Sequence, residues 1–296
     1  MKVLFINHSA DIDGSGIALL NLFNSLNDKK VEFVVVVPKP GQLSKLIQQT
    51  GHTVYFSKNL MPLILPNMHN KLKWIPRFLK RYLSHSKAIR DLNEIIKKEK
   101  PDLLHTNSGT TLCGSVLGKK HSIPNIWHLR EYQAPHLELK PIFGMKRLEK
   151  ELHHPNNHCI AITKGIFDHF TLQPNKDRMI YDGVFHKSIL TTLPTPHKTD
   201  IILFVGNLTQ NKGIQDLLAA FDKAQPKIPH YELWIAGKDK IGIDKLISNL
   251  NNKNKVKYLG FREDIYELMA QAKFLLWQVQ TKVLDSPQQK PCLTIV

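Results

Sequence analysis

No stretch of about 18 consecutive uncharged apolar residues occurs in the chain, so no segment reads as a membrane-spanning helix. The opening "MKVLFINHSADIDG" has too short an apolar run for a secretory leader and leads to Asp11 and Asp13; it reads as a buried first strand. Cysteine is scarce: Cys113, Cys159 and Cys292 stand far apart in no metal-type pairing, which suits free thiols in a reducing cytoplasm. The complete dinucleotide fingerprint is missing, as are internal repeats, low-complexity tracts and stacking aromatics in a nucleic-acid module. Acid is absent from "KLKWIPRFLKRYLSHSKAIR" (71–90), although Lys71, Lys73, Arg77, Lys80, Arg81, Lys87 and Arg90 are all basic.

What is present is a 296-residue chain, long enough for about two domains, with formal charge +16. Such a charge calls for an anionic partner. In 71–90, Trp74, Ile75, Phe78, Leu79 and Leu83 interleave with the basic residues at roughly helical spacing. Trp74, Arg77, Phe78, Lys80 and Arg81 therefore form a candidate contact with an anionic membrane surface. A solvated helix packed on its own domain explains the pattern equally well.

Continuous aliphatic and β-branched runs at 2–7, 31–37, 53–57, 102–107, 125–129 and 158–163 read as strands covered on both faces. Helical patterns at 16–26 and 41–51 separate the first of them, as in a doubly wound parallel sheet. Residues 185–200 carry two prolines and little periodicity, a linker by composition. A second βα series then runs from "DIILFVGN" to "KFLLW". The expectation is an N-terminal Rossmann-like domain (1–184), a linker (185–200), a partial second domain (201–276) and an aberrant tail (277–296). The two parallel-sheet domains should face a cleft, since open α/β sheets bind ligands at the carboxyl ends of their strands.

Three segments could carry chemistry. Gly14 and Gly16 fall between the first strand and first helix, where backbone N–H groups can approach an anion; a tight turn explains them as well. In "FVGNLTQNKG" (204–213), Lys212-Gly213 opens a helix, placing an ammonium beside unpaired backbone donors, a fit for a diphosphate; taken alone, the lysine reads better as a solvated one. "IPNIWHLREY" (123–132) puts His128, Arg130 and Glu131 at a strand's carboxyl end. Alternation turns His128 and Arg130 to one side.

The ordered series "DGSG", "HTNSG", "WHLRE", "AITKGI", "IYDGV", "FVGNLTQNKGI", "LWIAG" and "YLGFREDIYELMAQAKFLL" resembles the retaining GT-B glycosyltransferases of the group 1, family 4 kind, over residues 1 to about 276. The resemblance implies an α/β GT-B fold whose C-terminal domain takes a UDP- or GDP-linked sugar and whose N-terminal domain takes a glycan or lipid-linked acceptor. No metal or cofactor and no nucleic acid is implied. It makes Lys212 the diphosphate lysine, His128 the residue near the transferred sugar and Gly16 part of the glycine loop. Tyr258, Gly260 and Phe261 would line the nucleobase, and Asn107, Arg130 and Glu131 the acceptor or cleft side. The inner face of a bacterial cell membrane is the implied setting, in surface-polysaccharide synthesis. A sugar-nucleotide epimerase of like architecture and a non-catalytic remnant are the rival readings.

Two departures stand out. Asn207 occupies the place of the family's second diphosphate cation. After "KFLL" the family's E-G-F-G-x-x-x-x-E motif is replaced by "WQVQTKVLDSPQQKPC". Read one base out of frame with synonymous codons, that tail permits A-S-P-N-E-G-F-G-L-T-A-A-E-A-M, which restores both glutamates. Loss of one base near codon 277 therefore accounts for the tail; a genuine unrelated tail is the alternative. As it stands, residues 277–296 are expected to be irregular, the "KFLLW" strand poorly covered, and turnover very low.

Overall fold

The computed structural model describes residues 1–12, 14–26, 30–58, 60, 64–66, 74–132, 139–141, 145–183, 198–209, 212–277 and 292–295. They form two compact units, Met1–His186 and Lys187–Val296, and the division falls inside the proline-bearing segment.

The first unit holds strands β1 (Lys2–Ile6), β2 (Glu32–Val37), β3 (Thr53–Phe56), β5 (Leu103–Thr106), β6 (Asn125–Leu129), β8 (Asn157–Ala161) and β9 (Arg178–Met179). They make a seven-stranded sheet in the order β3-β2-β1-β5-β6-β8-β9, with every pairing parallel. Why the runs are continuously apolar is plain from the packing. On one face Leu4, Ile6, Val34 and Val36 pack with Leu92 and Ile96 of helix α3 (Trp74–Glu99) and Leu117 of α4 (Cys113–His121). On the other, Val3, Phe5, Val35 and Val37 meet Leu19 and Phe23 of α1 (Gly14–Leu26) and Leu43 and Ile47 of α2 (Gln42–Gln49). Each strand thus needs an apolar side chain at every position. Trp127, Leu129, Cys159 and Ala161 pack with α5 (Met145–Leu152) and α6 (Lys164–His169). Cys113 and Cys159 are buried free thiols, and burial pushes Cys113 up to about 12.

Two features differ from the sequence reading. A two-stranded antiparallel sheet joins β4 (Ile64–Pro66) to β7 (Leu139–Pro141). Helix α1 begins at Gly14, two residues ahead of the expected helical pattern, so that Gly14 and Gly16 both lie in its first turn. Gly16 is buried there, and a Cβ on it would stand 3.0 Å from the Asp11 carbonyl oxygen. Its role is close packing as the helix begins.

The second unit is a five-stranded sheet, β12-β11-β10-β13-β14, from β10 (Thr199–Val205), β11 (Glu232–Ala236), β12 (Val256–Gly260), β13 (Ala272–Trp277) and β14 (Cys292–Ile295). Helices α7 (Ile214–Ala224) and α8 (Ile243–Ser248) supply Leu218, Phe221 and Ile243 to the core on one face. Helix α9 (Ile265–Gln271) supplies Leu268 to the other. Strand β14 corrects the expected tail. It pairs antiparallel with β13, Phe274 opposite Ile295 and Trp277 opposite Cys292, so these four tail residues cover an edge that would otherwise offer free backbone groups. The intervening residues 278–291 lie outside the described set. Among the described residues no helix is long and apolar enough to cross a membrane.

Candidate functional site

In the first unit, three neighbouring strands end on a linked row of polar residues. β1 is followed by Asn7, β5 by Asn107 and β6 by Arg130. Asn107 donates its amide to Asn7 Oδ1 (2.9 Å) and to the Ser15 carbonyl (3.3 Å), which ties the row to the first turn of α1. Arg130 donates to Asn107 Oδ1 from Nε (3.2 Å) and Nη2 (3.0 Å), and from Nη1 to Asp182. The row lies where β1 and β5 lead off in opposite directions from the middle of the sheet, the point at which such folds bind ligands.

His128 shares the side of β6 that Arg130 uses, as alternation requires. Its Nδ1 is 3.4 Å from Arg130 Nη2, and its Nε2 is 3.7 Å from Asp182 Oδ1 with no hydrogen-bond partner. Burial, then the Arg130 guanidinium and neighbouring His105, push His128 down to about 2. The ring is therefore neutral, and its approach to Asp182 is not an ion pair. His105 stacks on Phe5 at 4.7 Å between ring centres and is pushed down to about 3 by burial and then Arg130. His128, Arg130 and Asp182 line a pocket of about 240 Å³ with α1, through Ala18, Asn21 and Leu22, and with Tyr181. Asn21 donates to the Gly183 carbonyl at 2.9 Å, which holds the 180–183 segment against that helix. Glu131 turns elsewhere and accepts from buried Ser108 Oγ at 2.5 Å.

In the second unit, glycines end three adjacent strands. Gly206 follows β10, Gly237 follows β11 and Gly260 closes β12, with φ of 157°, 151° and 72°. Gly206 N–H donates to the Ala236 carbonyl (3.0 Å) and Gly237 N–H to the Gly260 carbonyl (2.8 Å). A Cβ on Gly237 would stand 1.8 Å from the Gly206 carbonyl oxygen, so only glycine fits. Tyr258 donates its hydroxyl to the Gly237 carbonyl at 3.0 Å, while Phe261 is half exposed beneath the Lys238 ammonium, 4.9 Å from its ring centre. Asn207 is exposed. Lys212 is half-buried just ahead of Gly213, the N-cap of α7, and among the described residues its ammonium makes no hydrogen bond or ion pair.

The structure thus gathers His128, Arg130 and Asn107 in the first unit and Asn207, Tyr258, Gly260 and Phe261 at the strand ends of the second. Glu131 stands apart from the pocket. Lys80 lies on exposed α3 surface, while the side chains of Trp74, Arg77, Phe78 and Arg81 fall outside the described set. Sequence reasoning passed over Asp182, His105 and Gly237. The fragments "IYDGV" and "LWIAG" contain two of them, but nothing local marks which residue in each matters. Among the described residues no cluster of His, Cys, Asp and Glu could hold a metal.

Two successive Rossmann-like units, each with a polar or glycine-rich site at the carboxyl ends of its strands, define a GT-B-type α/β protein. A model described as Glycosyltransferase Family 4 matches residues 12–186, and one described as Glycosyl transferases group 1 matches residues 188–282. The chain belongs to glycosyltransferase family 4, whose model spans more than half of it. The second match runs past Leu276, where the sequence resemblance was expected to stop.

A curated relative, the N-acetyl-alpha-D-glucosaminyl L-malate synthase of Bacillus anthracis, is 21% identical over 263 residues, 79% of this chain and 67% of its own length. Among solved structures, Anabaena HepE in complex with UDP is similar at 18% identity and a TM-score of 0.67, covering 93% of this chain and 73% of that one. The lipopolysaccharide outer core galactosyltransferase WaaB in its apo form is similar at 16% identity and a TM-score of 0.60, covering 94% and 74%. The two solved structures establish the fold.

Proposed function

We propose that the chain transfers a hexosyl group from a nucleotide-sugar to a glycan or lipid-linked acceptor, with retention at the anomeric carbon, in the synthesis of a bacterial surface polysaccharide. The observation that carries the reading is the strand–loop–helix of residues 199–224. There β10 ends on Gly206, and a half-buried Lys212, whose ammonium has no partner among the described residues, precedes the N-terminus of α7. Helix-end N–H groups and an ammonium suit a diphosphate whose charge grows as the glycosyl bond breaks. The glycine-ended strands leave backbone within reach of the donor, with Tyr258, Gly260 and Phe261 on the base. The Anabaena protein of this fold was captured with UDP and with UDP-glucose, which supports a uridine-linked donor here.

Neutral His128 contacts the transferred sugar as a hydrogen-bond donor, not as a cation. Asn107, Arg130 and Glu131 serve the acceptor side. The lipid-linked acceptor is met at an anionic membrane on the cytoplasmic side by the basic half of α3, where Leu79, Tyr82 and Leu83 stand exposed on one face beside Lys80. The place of the family's glutamate pair is taken by an unrelated sequence, so donor affinity and turnover are low; a single-base loss near codon 277 accounts for it, and sequencing the gene tests that. The same absence favours a second reading, a chain that binds nucleotide without transferring sugar. Transfer assays on this chain and on a frame-restored version, with UDP-glucose, UDP-N-acetylglucosamine and GDP-mannose as donors, separate the two. Transfer by the restored version alone upholds the first reading, and binding without transfer in both upholds the second.

A further inference from the structure

The adjacent strands β10, β11 and β12 each give way to a glycine, and the residue after that glycine carries the first side chain beyond the carboxyl edge. These residues are Asn207, Lys238 and Phe261. β10 and β11 pair in parallel with Val205 opposite Ala236, and past the strand ends Leu208 still stands opposite Asp239. Three steps separate the two pairs on each chain, so the register is kept and Asn207 faces Lys238. Backbone bonds hold that register: Leu208 N–H donates to the Lys238 carbonyl (2.9 Å) and Lys240 N–H to the Leu208 carbonyl (3.2 Å). Neighbours in register on parallel chains leave the sheet side by side. On the other flank Gly237 N–H donates to the Gly260 carbonyl (2.8 Å), which brings Phe261 alongside, with its ring centre 4.9 Å from Lys238 Nζ. Lys238 is thus the middle of a row, an exposed cation between an uncharged amide and a half-exposed ring.

Among the described residues Lys238 makes no ion pair. Adjacent Asp239 turns Oδ1 to the N–H groups of Ile241 (2.9 Å) and Gly242 (3.0 Å) and Oδ2 to that of Ile243 (3.0 Å). Asp264 is taken by Arg262. An ammonium over an exposed ring is held more weakly than one bonded to a phosphate oxygen, so the ring keeps this cation only until an anion arrives. A diphosphate has two charged groups to meet, whereas Lys212 brings a single point charge.

We propose that Lys238 is the second cation for the donor's diphosphate. It waits over Phe261 in the free protein and moves to the phosphate oxygens as the nucleotide arrives, while Asn207 leaves the place beside it uncharged. The proposal rests on the reading that a nucleotide-sugar binds at these strand ends.

The test follows Lys238 in the full chain by NMR of 13C-labelled lysine, its ε-methylene signal assigned with Lys238→Met. The titrants are uridine, UDP and inorganic pyrophosphate. In the free protein that signal carries the ring-current shift of Phe261, absent in Phe261→Leu, and UDP and pyrophosphate each remove it saturably. Lys238→Met weakens UDP binding by about tenfold or more, the worth of a charge-assisted hydrogen bond, and leaves uridine unchanged. Asn207→Arg, which puts a cation in the neighbouring place, restores UDP affinity in Lys238→Met and adds little to the wild type. An unshifted Lys238 signal in the free protein, equal UDP affinity in Lys238→Met, equal losses for UDP and uridine, or an Asn207→Arg gain as large in the wild type overturns the proposal. UDP binding that falls with Lys212→Ala but not with Lys238→Met removes the proposal and leaves the transferase reading standing. Lys238-dependent binding of pyrophosphate by a chain that takes neither UDP nor GDP does the reverse. No response to UDP or pyrophosphate removes both.

Discussion

Arg130 and Asp182, 52 residues apart in the chain, meet as an ion pair at the carboxyl edge of the first sheet. The arginine side chain is 7% exposed, the aspartate 28%. Only the arginine is deeply buried, so the pair is best tested by stranding the aspartate's partner. Asp182→Ala leaves a buried guanidinium with Asn107 as its remaining strong acceptor and should cost about 2–4 kcal/mol. Arg130→Met keeps volume and releases Asp182 toward water, so it should cost less. Urea denaturation of the three proteins checks the order; equal losses would contradict it.

Three buried histidines make the fold acid-sensitive. Burial lowers His85 to about 4, burial and Arg130 lower His105 to about 3, and burial, Arg130 and His105 lower His128 to about 2. All three lie below the unfolded value of about 6.5. As pH falls through that value the unfolded chain takes up protons that the folded chain refuses, so stability present above it is lost progressively toward each folded value. Each histidine removes at most about 2 kcal/mol between pH 7 and 5. Chemical denaturation at those two pH values should show a fall of several kcal/mol, with a smaller fall in His105→Gln. A flat profile would contradict the neutral burial of these rings.

Gly237→Ala should unsettle the second unit. The residue has φ of 151°, and the new methyl would sit against the Gly206 carbonyl. Strain and overpacking together cost about 3 kcal/mol. Gly14→Ala meets open space and should be close to neutral. Thermal melts of the two variants give the comparison.

Membrane contact is tested at the exposed apolar triad of α3. Leu79 and Leu83 are 52% and 59% exposed, four residues apart on one helical face. Leu79→Glu with Leu83→Glu should reduce co-sedimentation with phosphatidylglycerol vesicles by tenfold or more, because it removes apolar area and adds repulsion. Wild-type binding to phosphatidylcholine vesicles should be weak. Equal binding to both lipids would argue against an electrostatic contact.

How far the sequence foretold all this depended on how local each cause was. The strands were legible because burial on both faces leaves Val3, Leu4, Phe5 and Ile6 no polar choice. His128 and Arg130 were placed on one side by the two-residue period of a strand. Asp182 was not legible as a partner, because its contact spans 52 residues and β9, just before it, is two residues long. The start of α1 was not legible, because nothing in the chain announces that the helix begins at Gly14 and tucks Gly16 under the Asp11 carbonyl. The β14 strand was missed for a different reason. It joins β13 through backbone groups, which carry no periodic signature in side chains.

Calorimetric titration with UDP-glucose and GDP-mannose, of the wild-type chain, a frame-restored version and Lys212→Ala in each, bears most directly on the central claim. The account predicts weak binding of one nucleotide-sugar by the wild-type chain, tighter binding by the restored version, and a loss of about tenfold or more on Lys212→Ala in both. Affinity untouched by the loss of the lysine, or no binding even after restoration, would contradict it.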